Sequence, residues 1–240
     1  MSRSVEHAMA PEKIVILTGA GISAESGLST FRDADGLWAQ HRIEDVATPE
    51  AFQRDPARVH AFYNARRAKA AEVMPNAAHH ALVRLEAEHP GAVLIITQNV
   101  DDLHARAGSR NLVHMHGRLM GALCHACGHR WPAPPEMHAT DPCPACSAAQ
   151  TRPDIVWFGE TPYGAEVIDP ALAAADIFAA IGTSGNVYPA AAYAQHAARL
   201  GARTVQINLE PASNARDFDE SHIGPATELV PKWVESILNR

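Results

Sequence analysis

The sequence predicts an α/β fold built on a doubly wound parallel sheet, with a small cysteine-bearing segment inserted in it. Three observations predict this. Continuous apolar, β-branched runs alternate with helical stretches along the chain. The first run ends abruptly in a glycine turn, Gly19-Ala20-Gly21. All four cysteines fall between positions 124 and 146, in two C-x-x-C pairs.

The runs lie at 13–18, 92–99 ("AVLIITQN"), 176–184 ("DIFAAIGTS") and 203–210 ("RTVQINLE"). Each is continuous rather than alternating, which suits strands buried on both faces of a parallel sheet. Helical stretches are expected at about 49–71, 76–88, 189–200 and 225–239, with Asn76 as a cap of the second. Residues 118–152 break the rhythm. They are rich in Cys, Pro, His and Ala, and read as an insert held by something other than a core.

The totals narrow the class. A chain of 240 residues fits one large α/β domain, or one with a small insert. With 47% apolar residues it can bury a sizeable core. A net charge of −7 argues against nucleic acid and anionic membranes as partners. No apolar run is long enough to span a bilayer, and residues 1–13 lack the apolar stretch of a signal peptide. The expected address is the cytoplasm.

In a reducing compartment, paired cysteines point to metal rather than disulfides. Cys124 and Cys127 are separated by fifteen residues from Cys143 and Cys146. Two such hairpins can wrap one tetrahedral Zn2+ with four thiolates. Four thiolates fill the coordination shell and leave no place for water or substrate, so this zinc ribbon is expected to be structural. A ribbon can also bind nucleic acid, but scattered Arg118, Arg130 and Arg152 against Glu136 and Asp141 form no basic stripe.

A strand followed by G-x-G and a helix can offer backbone N–H groups to a pyrophosphate, where a Cβ would block close approach. Alone, "GAGISA" also fits an ordinary tight turn, since Ala24 replaces the usual third glycine. The other strand ends strengthen the ligand reading. They read Gln98-Asn99-Val100-Asp101, Gly182-Thr183-Ser184 and Asn208-Leu209-Glu210, and in open α/β sheets ligands lie at carboxyl ends. Glu210 is a carboxylate able to accept ribose hydroxyls. A Rossmann-like dinucleotide site is the better reading.

Taken in order, "GAGISAESGLSTFR", "TQNVDDLH" with "RAG" after it, "HMHG", the C-x-x-C pairs, "VWFGE", "GTSGNVYPAA" and "INLEP" resemble the sirtuin family, NAD-dependent protein lysine deacylases. The likeness runs from about residue 13 to 230. It implies an NAD-binding domain from 1–117 and 153–240, a zinc insert at 118–152, and a helical insert near 45–75 belonging to the small domain. It implies that Gly19, Ala20, Gly21, Ile22, Ser23, Glu25, Phe31, Arg32 and Trp38 wrap the pyrophosphate and nicotinamide ribose. Gln98, Asn99, Val100 and Asp101 would line the ribose and nicotinamide pocket. Gly182, Thr183, Ser184, Asn208, Leu209, Glu210 and Ala226 would hold the adenosine half. Val156, Phe158 and Gly159 would pair their backbone with an extended substrate carrying an acylated lysine. Ser29 stands where many relatives have proline, Asp33 replaces a small neutral residue, and Val100 stands for isoleucine.

In the chemistry this implies, the bond from nicotinamide to the ribose breaks while the substrate's own amide oxygen attacks. Asn99 and Asp101 would orient the reactants. A base must then take a proton from a ribose hydroxyl, and histidine suits that task near neutral pH. His116, directly before Gly117, matches the family's base, and His114 is its natural confounder. Tyr63 and Arg66 sit three apart on a helix and share a face. Spacing alone favours a packed tyrosine beside a solvated basic run. The stretch nevertheless resembles the Y-x-x-R of class III sirtuins, which receives acidic acyl groups, and small Ala34 would leave a wide acyl pocket. The implied activity is removal of succinyl, malonyl and acetyl groups from lysine, giving nicotinamide and O-acyl-ADP-ribose. The competing readings are an NAD-dependent mono-ADP-ribosyltransferase and a non-enzymatic NAD-sensing zinc module.

Overall fold

A computed structural model describes residues 10–29 and 41–240. Its strands are β1 (Ile14–Thr18), β2 (Val93–Thr97), β3 (Leu112–His114), β4 (Gly117–Cys124), β5 (Arg130–Pro132), β6 (Thr151–Ile155), β7 (Ile177–Ile181), β8 (Arg203–Asn208) and β9 (Glu220–Ile223). Its helices are α1 (Gly21–Ala24), α2 (Ile43–Val46), α3 (Pro49–Arg54), α4 (Pro56–Glu72), α5 (Ala77–Glu88), α6 (Leu103–Ala107), α7 (Ala165–Ala173), α8 (Tyr193–Arg199) and α9 (Ala226–Leu238).

The large sheet has the order β3-β2-β1-β7-β8-β9, and every pairing is parallel. Strand order reverses between β1 and β7, the point where open α/β sheets leave a crevice. Alternate side chains explain the two layers of helices. Ile14, Ile16, Val93, Ile95, Ala179 and Ile207 face one way, onto Leu82 and Leu85 of α5 and Val230 and Val234 of α9. Val15, Leu17, Ile96, Phe178 and Ala180 face the other way, onto Ile168 and Leu172 of α7 and Ala194 and Ala197 of α8.

The four expected strands are present with frayed ends trimmed, so Gln98–Asn99, Gly182–Ser184 and Leu209–Glu210 lie beyond the ladder. Asn76 caps α5, accepting the Ala78 amide at 3.0 Å, and His79 completes a capping box. The expected helix at 49–71 is two helices. Pro56 supplies no N–H for a continuing helix, so Asp55 caps a new one by accepting the Arg58 amide at 3.0 Å. Three-residue β3, polar β9 and proline-containing α7 lie outside the runs and helical stretches that the sequence marks.

The cysteine-bearing stretch is better built than its composition suggests. Strands β5-β4-β6 form an antiparallel three-stranded sheet. Leu119 and Ile155 of this sheet join Val59, Phe62, Tyr63 and Trp157 in a third core cluster, which packs α4 against β4 and β6. Buried Arg67 of α4 ties the region together, donating to the carbonyls of Leu119 and Pro135 and to Asn64 Oδ1. No helix among the described residues is long and apolar enough to cross a membrane.

Candidate active site

Register aligns the carboxyl ends. Thr18 pairs with Thr97 and Ile181, and Thr97 with His114. The first residues beyond the ladder are therefore Gly19, Gln98, Met115 and Gly182, gathered along one edge. At the strand-order reversal three glycines interlock. A Cβ on Gly19 would lie 2.7 Å from the Gly182 carbonyl oxygen, and one on Gly21 would lie 2.7 Å from Gly182 Cα. A Cβ on Gly182, whose φ is +63°, would lie 2.3 Å from the Ile22 nitrogen. These glycines are thus demanded by chain-on-chain contact, whatever ligand binds. The turn's amides are also largely spent. Gly19 donates to Ile181 at 3.0 Å and Gly21 to Gly182 at 2.8 Å, leaving Ala20's amide without an acceptor among the described residues.

The remaining turn residues divide. The Ile22 side chain is fully buried in the core, so only its backbone can face a ligand. Its carbonyl takes the Asn76 amide at 2.8 Å, and Asn76 also reaches Ser26 Oγ at 3.0 Å, which pins the turn to α5. Glu25 is turned to α9, accepting the Thr227 hydroxyl at 2.6 Å and its amide at 2.9 Å beside Ala226. Phe31, Arg32, Ala34 and Trp38 lie outside the described residues.

Ser23, Asn99 and Asp101 form one buried cluster. Asn99 Nδ2 donates to Ser23 Oγ at 3.1 Å, and Ser23 Oγ donates to Asp101 Oδ2 at 3.2 Å. The Leu103 amide holds Asp101 Oδ1 at 3.1 Å. Burial pushes the Asp101 carboxyl above its usual range, against the pull of these two donors. Beneath the cluster, Thr18 Oγ1 meets Thr97 Oγ1 at 2.9 Å and buried His104 Nε2 at 3.0 Å. Sequence reading missed this support, because a threonine at a strand end and a histidine in a helix carry no signal of their own. Gln98 reaches across to Thr183 Oγ1 at 3.1 Å, while Val100 packs on the third cluster. Asn208 is buried with its amide on Gln206 Oε1 at 3.3 Å, and Leu209 and Glu210 are exposed.

His116 follows β3 and is half-buried. Its Nδ1 meets the Gln98 carbonyl at 3.1 Å. A carbonyl oxygen only accepts, so Nδ1 carries the proton and Nε2 is the free base. Burial lowers the His116 pKa, partly offset by that carbonyl, which favours the neutral ring. His114 makes a longer contact of the same kind, 3.4 Å to the Asn99 carbonyl.

Residues 156–160 run alongside. The Val156 amide donates to the His116 carbonyl at 2.9 Å and the Phe158 amide to that of Ala47 at 3.0 Å. The amides of Trp157 and Glu160 are engaged within the loop. Of the backbone donors in this segment, only the Gly159 amide lacks an acceptor among the described residues. Tyr63 is fully buried, and Arg66 packs over its ring with Cζ 5.9 Å from the centroid. Arg66 is half-buried and not a solvated surface charge, and it interacts electrostatically with both Tyr63 and Asp101.

The four cysteine sulfurs all lie within 4.8 Å of one another. Cys124–Cys146 and Cys127–Cys143 are separated by 3.7 and 3.8 Å. A tetrahedron with metal–sulfur bonds of about 2.3 Å has edges of roughly 3.8 Å, so the thiols fit one zinc ion.

A parallel sheet with its reversal at an interlocked glycine turn, a buried Asn–Ser–Asp cluster and a four-cysteine ribbon together define a sirtuin-type fold and site. The Sir2 family model matches residues 19–189, and the chain belongs to that family. A Caulobacter vibrioides protein named NAD-dependent protein deacylase is 52% identical, covering 95% of this chain and 98% of its own. One of the same name from Escherichia coli K12 is 51% identical, covering 98% and 85%. Among solved structures, a Sir2 homologue–NAD complex is 37% identical with a TM-score of 0.87, covering 95% and 90%. Sir2Af2 bound to a myristoylated histone peptide is 30% identical with a TM-score of 0.72, covering 95% and 92%.

Proposed function

We propose that this sirtuin is an NAD-dependent protein lysine deacylase of the cytoplasm that prefers succinyl- and malonyl-lysine and also accepts acetyl-lysine. Bound NAD supplies a ribose carbon whose bond to nicotinamide breaks. Asn99 and Asp101 orient the reacting groups, held by Ser23 and the Leu103 amide. His116 accepts a ribose hydroxyl proton at Nε2, its other nitrogen being engaged by Gln98. The Ala20 amide faces the pyrophosphate, Gln98 and Thr183 bridge the cleft, and Gly182 lies on the adenosine side. Ser184, Asn208 and Glu210 serve the adenosine half. Val156, Phe158 and Gly159 meet the peptide backbone, Gly159 through its open amide. Cys124, Cys127, Cys143 and Cys146 hold a structural zinc.

The observation that carries the acyl preference is the arginine–tyrosine pair. Arg66 lies over the Tyr63 ring at the edge of a buried cluster, next in charge to Asp101. A carboxylate leaving water needs a cation and a donor. Arg66 offers a planar fork and Tyr63 a hydroxyl. Removing one partner of such a pair costs about 2–5 kcal/mol, roughly thirtyfold or more in efficiency. Arg66→Met is expected to cut kcat/KM for a succinyl-lysine peptide by that much while moving the acetyl-lysine value only a few-fold. Equal losses on both peptides would end the class III reading and leave the family standing. In the same assay, mass spectrometry should find nicotinamide with O-acyl-ADP-ribose; ADP-ribosylated protein instead would support the transferase reading.

A further inference from the structure

Trp157 sits within the 156–160 segment but faces inward. It is buried, with its ring 5.2 Å from that of Phe52. The Arg152 guanidinium lies over the same ring system, Cζ 3.5 Å from the ring centroid. Arg152 is itself buried and clamped by Glu160 at 2.7 and 2.8 Å and by the Ile155 carbonyl at 2.7 Å. Glu160 also accepts the Trp157 amide at 2.8 Å. The indole is therefore held by Phe52, by the clamped Arg152 and through its backbone amide. Its Nε1–H donates to the Tyr63 hydroxyl at 3.0 Å.

The polarity of that bond matters. An indole N–H can only donate, so the Tyr63 oxygen must accept. Conjugation keeps a phenol's O–H in the plane of its ring, with two available directions. The indole N–H fills one of them, and the hydroxyl proton takes the other. We infer that Trp157 is a positioning residue that fixes Tyr63 as a hydrogen-bond donor to the acyl group, and so biases the pocket toward acyl groups ending in a carboxylate. The inference rests on the acyl-preference reading above. A donor facing a carboxylate forms a charge-assisted bond, whereas an oxygen lone pair in its place would repel it. Burial keeps the proton in place, since it pushes the Tyr63 phenol up to about 12.

The test compares succinyl- and acetyl-lysine peptides on four proteins: wild type, Trp157→Phe, Tyr63→Phe and the double variant. Trp157→Phe should lower the succinyl-to-acetyl ratio of kcat/KM about three- to tenfold, the worth of one neutral hydrogen bond. The change should appear as a higher KM for the succinyl peptide. In the Tyr63→Phe background the same substitution should change the ratio no further. If Trp157→Phe fails to fold, site-specific benzothienylalanine keeps the indole's shape without its N–H, and the same fall in ratio is expected. Parallel losses on both peptides, or additive losses in the double variant, would make Trp157 a brace only and overturn the inference. A ratio that falls with Tyr63→Phe but not with either Trp157 replacement would overturn it and leave the acyl preference intact. A ratio unmoved by Tyr63→Phe would remove Tyr63 from acyl recognition and overturn the role of Trp157 with it, leaving the preference to the Arg66→Met test.

Discussion

Replacing Gly182 with alanine should damage both stability and cofactor binding, and two other glycines separate the reasons. Gly182 holds a φ of +63°, and its Cβ would meet the Ile22 nitrogen at 2.3 Å and the Gly21 carbonyl carbon at 2.7 Å. The left-handed backbone costs a non-glycine residue about 1–2 kcal/mol. Forcing a methyl group into packed backbone costs about 1–3 kcal/mol more. The expected loss is about 2–5 kcal/mol, a large part of a typical domain's 5–15 kcal/mol. Gly201 isolates the first cost, with φ +97° and open space around its Cβ. Gly19 isolates the second: it carries no left-handed φ, but its Cβ would sit 2.7 Å from a carbonyl oxygen. Urea denaturation of the three alanine variants should rank Gly182→Ala as the least stable. The displaced turn also moves the Ala20 amide, so calorimetry should find ADP-ribose bound about tenfold or more weakly, the worth of one hydrogen bond to a charged group. Gly201→Ala, remote from the turn, should bind as wild type does. Gly182→Ala no less stable than Gly201→Ala, with unchanged affinity, would refute the interlocking account.

Three further outcomes follow from the site. His116→Ala should lose about a hundredfold to ten-thousandfold in turnover with ADP-ribose binding retained, while His114→Ala stays substantially active; a dead His114 variant would exchange their roles. Cys143→Ser should lower folded yield and hold much less than one equivalent of zinc by metal analysis, because metal binding is part of the folding free energy; a full equivalent in the variant would remove Cys143 from the ligand set. Burial lowers the pKa values of His60, His79, His104, His114 and His116, with His79 brought to about 4. Below about pH 6.5 the unfolded chain therefore binds more protons than the folded one, and stability should fall as pH drops from there toward 4, His79 alone contributing about 2 kcal/mol by pH 5. Equal urea midpoints at pH 7.5 and pH 5 would contradict this.

Legibility in the sequence followed burial. Strands β1, β2, β7 and β8 are buried on both faces, so they read as unbroken apolar runs, and Asn76 announced the start of α5 because capping is local chemistry. What escaped was set by distant partners. Strand β3 has three residues and β9 is polar and mostly exposed, so neither carries a period long enough to register. The strands of the cysteine segment are interrupted by Gly and Pro, which have little strand preference, and the sheet is secured from outside by α4. At the glycine turn the residue types were legible and their cause was not. The sequence suggests room for a phosphate, while the nearest atoms to the missing Cβ groups belong to Gly182, over 160 residues away. The adjacent arginines make the same point most sharply. Arg66 and Arg67 are chemically identical neighbours, and a helix turns about 100° between them. That rotation sends Arg67 into the Leu119 and Pro135 carbonyls, where it binds α4 to the small sheet, and sends Arg66 over Tyr63 toward Asp101. One residue's worth of helical rotation thus separates the arginine that braces the fold from the one that lies over Tyr63. Which arginine faces which partner depends on where α4 lies against β4 and β6, and no pattern within "NARRAKA" encodes that placement.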